Sequence, residues 1–227
     1  MRLSAESRYV ILRLPEITLL CKVTGMETNW AEENLKTIRT LMERSAIYRR
    51  ALAPIMIYAG VMGVAAAGGG LLLHTDSMRA FCALWLGTAA TAVAGSFIIA
   101  RQQAMKDKEA FWSPPTRRVA QALSAPLGVG LFVGVWFGAG HESPSLLAVF
   151  WILFYGCALH AAGFFTPRGV RWLGWVFIAG ACVLVFMHQV GNGLQYNSHL
   201  LMGLFFGVLH LAYGSYLYLT EKRKNEA

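Results

Sequence analysis

The chain has 227 residues, of which 56% are apolar and only 14% charged, where an ordinary soluble domain has about 25% charged residues. So little charge cannot cover a water-soluble surface. That excludes a soluble enzyme, a disordered chain and a disulfide-stapled secreted module, and leaves an integral membrane protein. The formal charge of +8 does not point to nucleic acid, because the cations cluster just outside apolar runs, as cytoplasmic flanks of membrane helices do.

Residues 1–28 read as an N-terminal extension. Leu19, Leu20 and Cys21 are apolar, but Arg13, Pro15 and Glu16 interrupt any signal-peptide core. Met26 opens a cleaner polar start, so residues 1–25 are expected to be a loosely ordered extension or a start-codon artefact. Residues 29–50 read as an amphipathic helix at the cytoplasmic interface. Leu35, Ile38, Leu41, Met42 and Tyr48 recur at helical spacing, and Asn29 with Glu32 resembles a capping box with Asn in place of Ser or Thr. Such a helix is a docking arm for a partner or for anionic headgroups, or, more simply, an interfacial lead into the first span.

A helix needs about 20 mostly apolar residues to cross a bilayer. Six runs qualify: 52–73, 79–100, 124–140, 146–165, 172–189 and 199–219. All 12 acidic residues, and every Lys and Arg, fall outside these runs or at their edges. The predicted fold is therefore all-α, a six-helix transmembrane bundle over 51–220 with a basic tail over 221–227. One set of loops carries Arg101, Lys106, Lys108, Arg117 and Arg118, then Arg168 and Arg171, and the tail adds Lys222, Arg223 and Lys224. The opposite loops are His74–Met78, His141–Ser145 and Val190–Ser198, with Arg79 their one neighbouring cation. The positive-inside rule then places both termini in the cytoplasm, and two termini on one side require an even number of spans, as six is.

Between spans two and three, Trp112-Ser113-Pro114-Pro115-Thr116 stops one helix and starts the next. Gly130, Gly134 and Gly138 are spaced by four in span three, and Gly203 and Gly207 in span six. Glycine at this spacing lets a neighbouring helix backbone approach closely, within one bundle or across a homo-oligomer seam. Cys21, Cys82, Cys157 and Cys182 contain no CxxC pair, so neither a disulfide framework nor a structural zinc site is expected.

Of six histidines, His74, His141, His188 and His199 fall at or beyond the outer ends of spans. With Asp76, Glu142, Asn192 and Gln195 they form a candidate metal-capable face, although no HxH or HxxxH pair is present. His160 and His210 lie inside spans four and six, at similar expected depth. They are candidate ligands for haem or a transition metal, or members of a polar path; otherwise they are neutral imidazoles bonded to a neighbouring helix. No carboxylate lies mid-span, and GxxxxGK[ST], HExxH and Gly-x-Ser-x-Gly are missing. Enzymatic activity is accordingly not expected, and neither is a resident cofactor outside the histidine alternative.

The segment Asn34-Leu35-Lys36-Thr37-Ile38-Arg39-Thr40-Leu41-Met42-Glu43-Arg44-Ser45 resembles the opening of a group of small bacterial multi-span membrane proteins with an I-R-x-x-M-E-R-A start, Ser45 replacing the final alanine. The resemblance continues at Arg117-Arg118 with Ala125-Pro126, at Trp151-Ile152-Leu153-Phe154-Tyr155-Gly156, at Leu173-Gly174, and at Gly207-Val208-Leu209-His210-Leu211-Ala212-Tyr213-Gly214. It spans about residues 30–220. It implies a bacterial inner-membrane protein, a group discussed beside winged-helix regulators, and transfers no catalytic residue. The expected function is a non-enzymatic sensing or envelope-homeostasis module, with a redox protein using His160 and His210, or a small transporter, as alternatives. Expected partners are membrane lipids, a second copy of the chain or a cytoplasmic regulator, and not nucleic acid.

Overall fold

A computed structural model describes residues 33–35, 51–106, 108, 111–139, 143–190 and 196–226; for 115, 188, 190 and 221–226 the description is limited to the backbone. Of the surface helix expected over 29–50, residues 33–35 are described and helical, and the rest lies outside the described residues. Residues 33–35 belong to one unit, Met1–Ala46, and the apolar helices to a second, Ile47–Ala227.

Every described secondary-structure element of the second unit is a helix, and six of its helices are long and apolar enough to cross a bilayer. They are α1 (Ala51–Leu72), α2 (Met78–Lys106), α3 (Pro114–Gly138), α4 (Pro144–Ala162), α5 (Arg168–Val190) and α6, which starts at Ser198 and runs to Glu226. The protein is a multi-pass membrane protein. In lipid every backbone polar group must be satisfied within the chain, which is why each long apolar run becomes a helix.

The helix ends are fixed by local chemistry. Ser143 caps α4, its hydroxyl accepting from Leu146 N–H, with Pro144 in the first turn where its missing N–H costs nothing. Asn197 caps α6 by accepting from the N–H groups of His199 and Leu200. At α2 the 29 residues would extend about 43 Å, longer than a hydrocarbon core of about 30 Å. Its polar end, Arg101–Lys106, is therefore left over beyond the hydrocarbon core, as is the polar start of α3. That helix begins at Pro114, ten residues before the apolar run, because the proline pair opens it in the polar flank.

Two pairs of helices meet backbone to backbone. Along α1 and α6, a Cβ on Gly60 would lie 2.7 Å from Leu211 N, one on Gly63 2.5 Å from Phe206 O, and one on Gly214 2.8 Å from Ile57 N. Rising numbers on one helix meet falling numbers on the other, so the pair is antiparallel. Along α4 and α5, the equivalent contacts are Gly156 with Ile178 N at 2.9 Å, Gly174 with His160 N at 2.6 Å and Gly163 with Arg171 N at 2.8 Å. Close backbone approach replaces the hydrophobic drive that lipid cannot supply between helices.

The core centres on α4. Leu147, Trp151, Ile152 and Leu159 are buried among Phe81 and Trp85 of α2, Phe177 of α5 and Phe205 of α6. Phe97 and Ile98 of α2, Phe132 and Trp136 of α3, and Phe186 of α5 remain exposed in the isolated chain. These are the surfaces a bilayer covers.

Candidate functional site: the histidine-flanked turn of α6

Span six is not a uniform α-helix. Ser198–Met202 is α-helical, Gly203–Val208 is a π turn, and Leu209 resumes the α-helix to Glu226. The wider turn is seen in the Leu209 N–H, which bonds back five residues to Leu204 O. Gly203 and Gly207 lie inside it and face α1: a Cβ on Gly203 would meet Ala67 Cβ at 2.6 Å, and one on Gly207 Val64 N at 2.9 Å. Single π turns inside α-helices occur frequently at functional sites.

A buried histidine stands on each side of this turn. His199 is fully buried. Its Nδ1 accepts from the Trp85 indole N–H at 3.3 Å, and its Nε2 lies 3.2 Å from both the carbonyl oxygen and the hydroxyl of Thr75. An indole N–H can only donate and a carbonyl can only accept. The network therefore assigns the neutral tautomer with the proton on Nε2. Phe81 meets the ring edge-on at 5.2 Å between centroids. Gly70 makes room for it, since a Cβ there would collide with the imidazole.

The same residues terminate α1. His74 has φ 48° and ends the helix in a left-handed conformation. Thr75 N–H then bonds back to Gly70 O at 3.1 Å, closing a Schellman-type cap. His199 thus ties the end of α1 and the indole of α2 to the start of α6.

His210 is 1% exposed. Its Nδ1–H donates to Phe205 O, in the π turn, at 3.1 Å, and its Nε2 accepts from the Tyr155 hydroxyl of α4 at 2.8 Å. This tautomer is the reverse of that at His199. Tyr155, Phe177 and Phe206 surround the ring at centroid distances of 5.4, 5.6 and 6.2 Å.

Eleven residues separate the two histidines, so an unbroken α-helix would point them within about 20° of each other. The π turn inserts one extra residue, a rotation of about 100°. That is why His199 faces α1 and α2 while His210 faces α4 and α5.

The other sequence-predicted residues fall elsewhere. His160 occupies the last turn of α4, packed edge-on against Phe164 and Trp175. Counted from the N-terminal ends of their helices, His160 lies about 24 Å along α4 and His210 about 18 Å along α6. They share no hydrogen bond or ring contact, and Tyr155, not His160, is the α4 residue that meets His210. His74 is exposed in its cap; His141, Glu142, Asn192, Gln195 and the side chain of His188 lie outside the described residues. Among the described residues no three His, Cys, Asp or Glu side chains gather as a metal-binding group.

In α3, Gly134 lies against the Trp151 indole, 2.8 Å from a built Cβ, and Trp151 Nε1–H donates to Gly130 O at 2.9 Å. Gly138 faces Cys82 Sγ at 3.7 Å. The α3 groove therefore receives side chains of α4 and α2, whereas on α6 Gly203 meets the Ala67 methyl group and Gly207 the backbone of α1. Sequence reasoning did not find Trp85, Thr75 or Tyr155, nor the glycines Gly156, Gly163 and Gly174 as a packing set.

Comparison with protein families, with curated proteins and with solved structures finds no match to this chain.

Proposed function

We propose that this protein is a non-enzymatic module of a bacterial inner membrane, with both termini cytoplasmic, that responds to the state of the bilayer as a sensor or in envelope homeostasis. The observation that carries this reading is the π turn of α6, locked at both ends by buried histidines and seated on the backbone of α1. An element with one extra residue in its turn has a nearby alternative, in which that residue is expelled and the helix rotates. Such a change would turn Leu209–Glu226 and present the basic tail differently to a cytoplasmic regulator. The two imidazoles act as latches, because each spends both ring nitrogens on partners from the chain itself.

A haem or metal held between His160 and His210 finds less support. A shared ligand needs converging nitrogens, and those of His210 are occupied by Tyr155 and Phe205. A transport path between α1 and α6 also finds less support, because their glycines are in backbone contact.

The test is distance measurement by pulsed electron paramagnetic resonance, with spin labels at Ala51 of α1 and Thr220 of α6, in bilayers of short- and long-chain phosphatidylcholine. The expected result is two distance populations whose ratio changes with bilayer thickness. One invariant distance in every bilayer, or a Soret band in the purified protein, would count against the proposal.

A further inference from the structure

The short connection between α4 and α5 lies on the side of the bundle that carries the cations. Arg171 is held there by its backbone: a Cβ on Gly163 would stand 2.6 Å from Arg171 Cα and 2.8 Å from its nitrogen. Its guanidinium lies 5.4 Å from the centroid of the Phe164 ring. Phe164 also receives the His160 ring edge-on at 5.4 Å, and His160 packs at 4.9 Å against Trp175. One aromatic cluster therefore cradles a guanidinium group. Arg168, exposed, is three residues earlier on the same helix, where i,i+3 neighbours share a face. Trp172 and Trp175 are 68% and 51% exposed. Among the described residues neither arginine has a carboxylate partner, and His160 Nδ1 is buried in the cluster without a hydrogen-bond partner.

We infer that Arg168 and Arg171 form a headgroup site for an anionic phospholipid, its phosphodiester bridged by the two guanidinium groups and its glycerol region resting on Trp172 and Trp175. The guanidinium fork matches the paired oxygens of a phosphate. Tryptophan settles at the level of the headgroups, and basic sites at the ends of membrane helices recruit anionic lipid. Free phosphate would leave the exposed indoles unused, so the lipid is the occupant. The site is independent of the α6 turn and does not rest on the sensing role.

The experiment uses the full chain in nanodiscs of mixed phosphatidylglycerol and phosphatidylcholine, with retained lipids counted by native mass spectrometry. Wild type should retain phosphatidylglycerol preferentially. The double variant R168Q/R171Q should lose that preference, by about fivefold for each arginine. The variant R117Q/R118Q removes the same charge from α3, where neither arginine has an aromatic cradle among the described residues, and should retain lipid as wild type does. An equal loss in R117Q/R118Q would mean that bulk charge sets the preference and would overturn the proposal. Equal retention of the two lipids by wild type would overturn it too, as would displacement of the retained lipid by millimolar inorganic phosphate.

Discussion

His210 Nε2 lies 2.8 Å from the Tyr155 hydroxyl, joining α6 to α4 just after the π turn. Because His210 Nδ1–H is bonded to Phe205 O within that turn, the tyrosine bears on the irregular segment through a single imidazole. Tyr155→Phe removes the donor and leaves Nε2 buried without a partner. Interhelical hydrogen bonds in membranes contribute about 0.6 kcal/mol on average, up to about 1.7, and a buried unsatisfied acceptor raises the cost. We expect a loss of about 1–2 kcal/mol, read as a lower midpoint of thermal unfolding in detergent. Tyr216→Phe, at a 60% exposed tyrosine, should melt as wild type.

Three consecutive glycines near the end of α1 give a sharper contrast. A Cβ on Gly70 collides with the His199 ring, whereas Gly68 and Gly69 have nothing within 4 Å. Gly70→Ala should destabilise by about 1–3 kcal/mol through overpacking. Gly68→Ala and Gly69→Ala should be neutral or stabilising by up to about 1 kcal/mol, since alanine is the better helix former. Equal melting of all three variants would mean that the imidazole is not seated on Gly70.

In α3, Gly134→Leu should drive the Trp151 indole from its place and cost about 1–3 kcal/mol. It also threatens the bond from Trp151 to Gly130 O. Trp136, 70% exposed, faces outward from the same helix, so Trp136→Leu should matter less. Thermal unfolding with a measurement of oligomer size checks both; no change in Gly134→Leu would place that glycine against lipid.

The proposed orientation rests on the distribution of charge and is open to chemical labelling. Cysteines at Ser143 and Asn225 should be reached by a membrane-impermeant thiol reagent from the outer and the cytoplasmic side, respectively. The reverse pattern would overturn the proposed topology.

Much of this bundle was legible in the sequence, because span length is set by the bilayer and each apolar run has to become a helix. The run expected at 146–165 became Pro144–Ala162, and that at 199–219 became Ser198–Thr220. The π turn was not legible: Gly203–Val208 reads as ordinary apolar helix, and one extra residue in a turn leaves no mark on composition. Its consequence was therefore missed as well. On a regular helix His199 and His210 share a face, so nothing assigned one to Trp85 and the other to Tyr155. The glycines of α3 and α6 stand out through their spacing of four, and Gly60 and Gly63 through the glycine content of α1, but nothing in the sequence singles out the α4–α5 seam through Gly156, Gly163 and Gly174. Those positions depend on where two helices cross, which is a property of the pair rather than of either sequence.

In the proposed role, both buried histidines of α6 act as latches within the chain, neutral and in opposite tautomers. Solid-state NMR of the protein labelled with nitrogen-15 at histidine, in bilayers, observes this directly, with His199→Gln and His210→Gln assigning the signals. We expect one neutral ring protonated at Nε2, from His199, and one protonated at Nδ1, from His210, both unchanged when divalent metals or haem are added. A metal- or haem-shifted nitrogen at either position, or the same tautomer at both, would contradict the latch role.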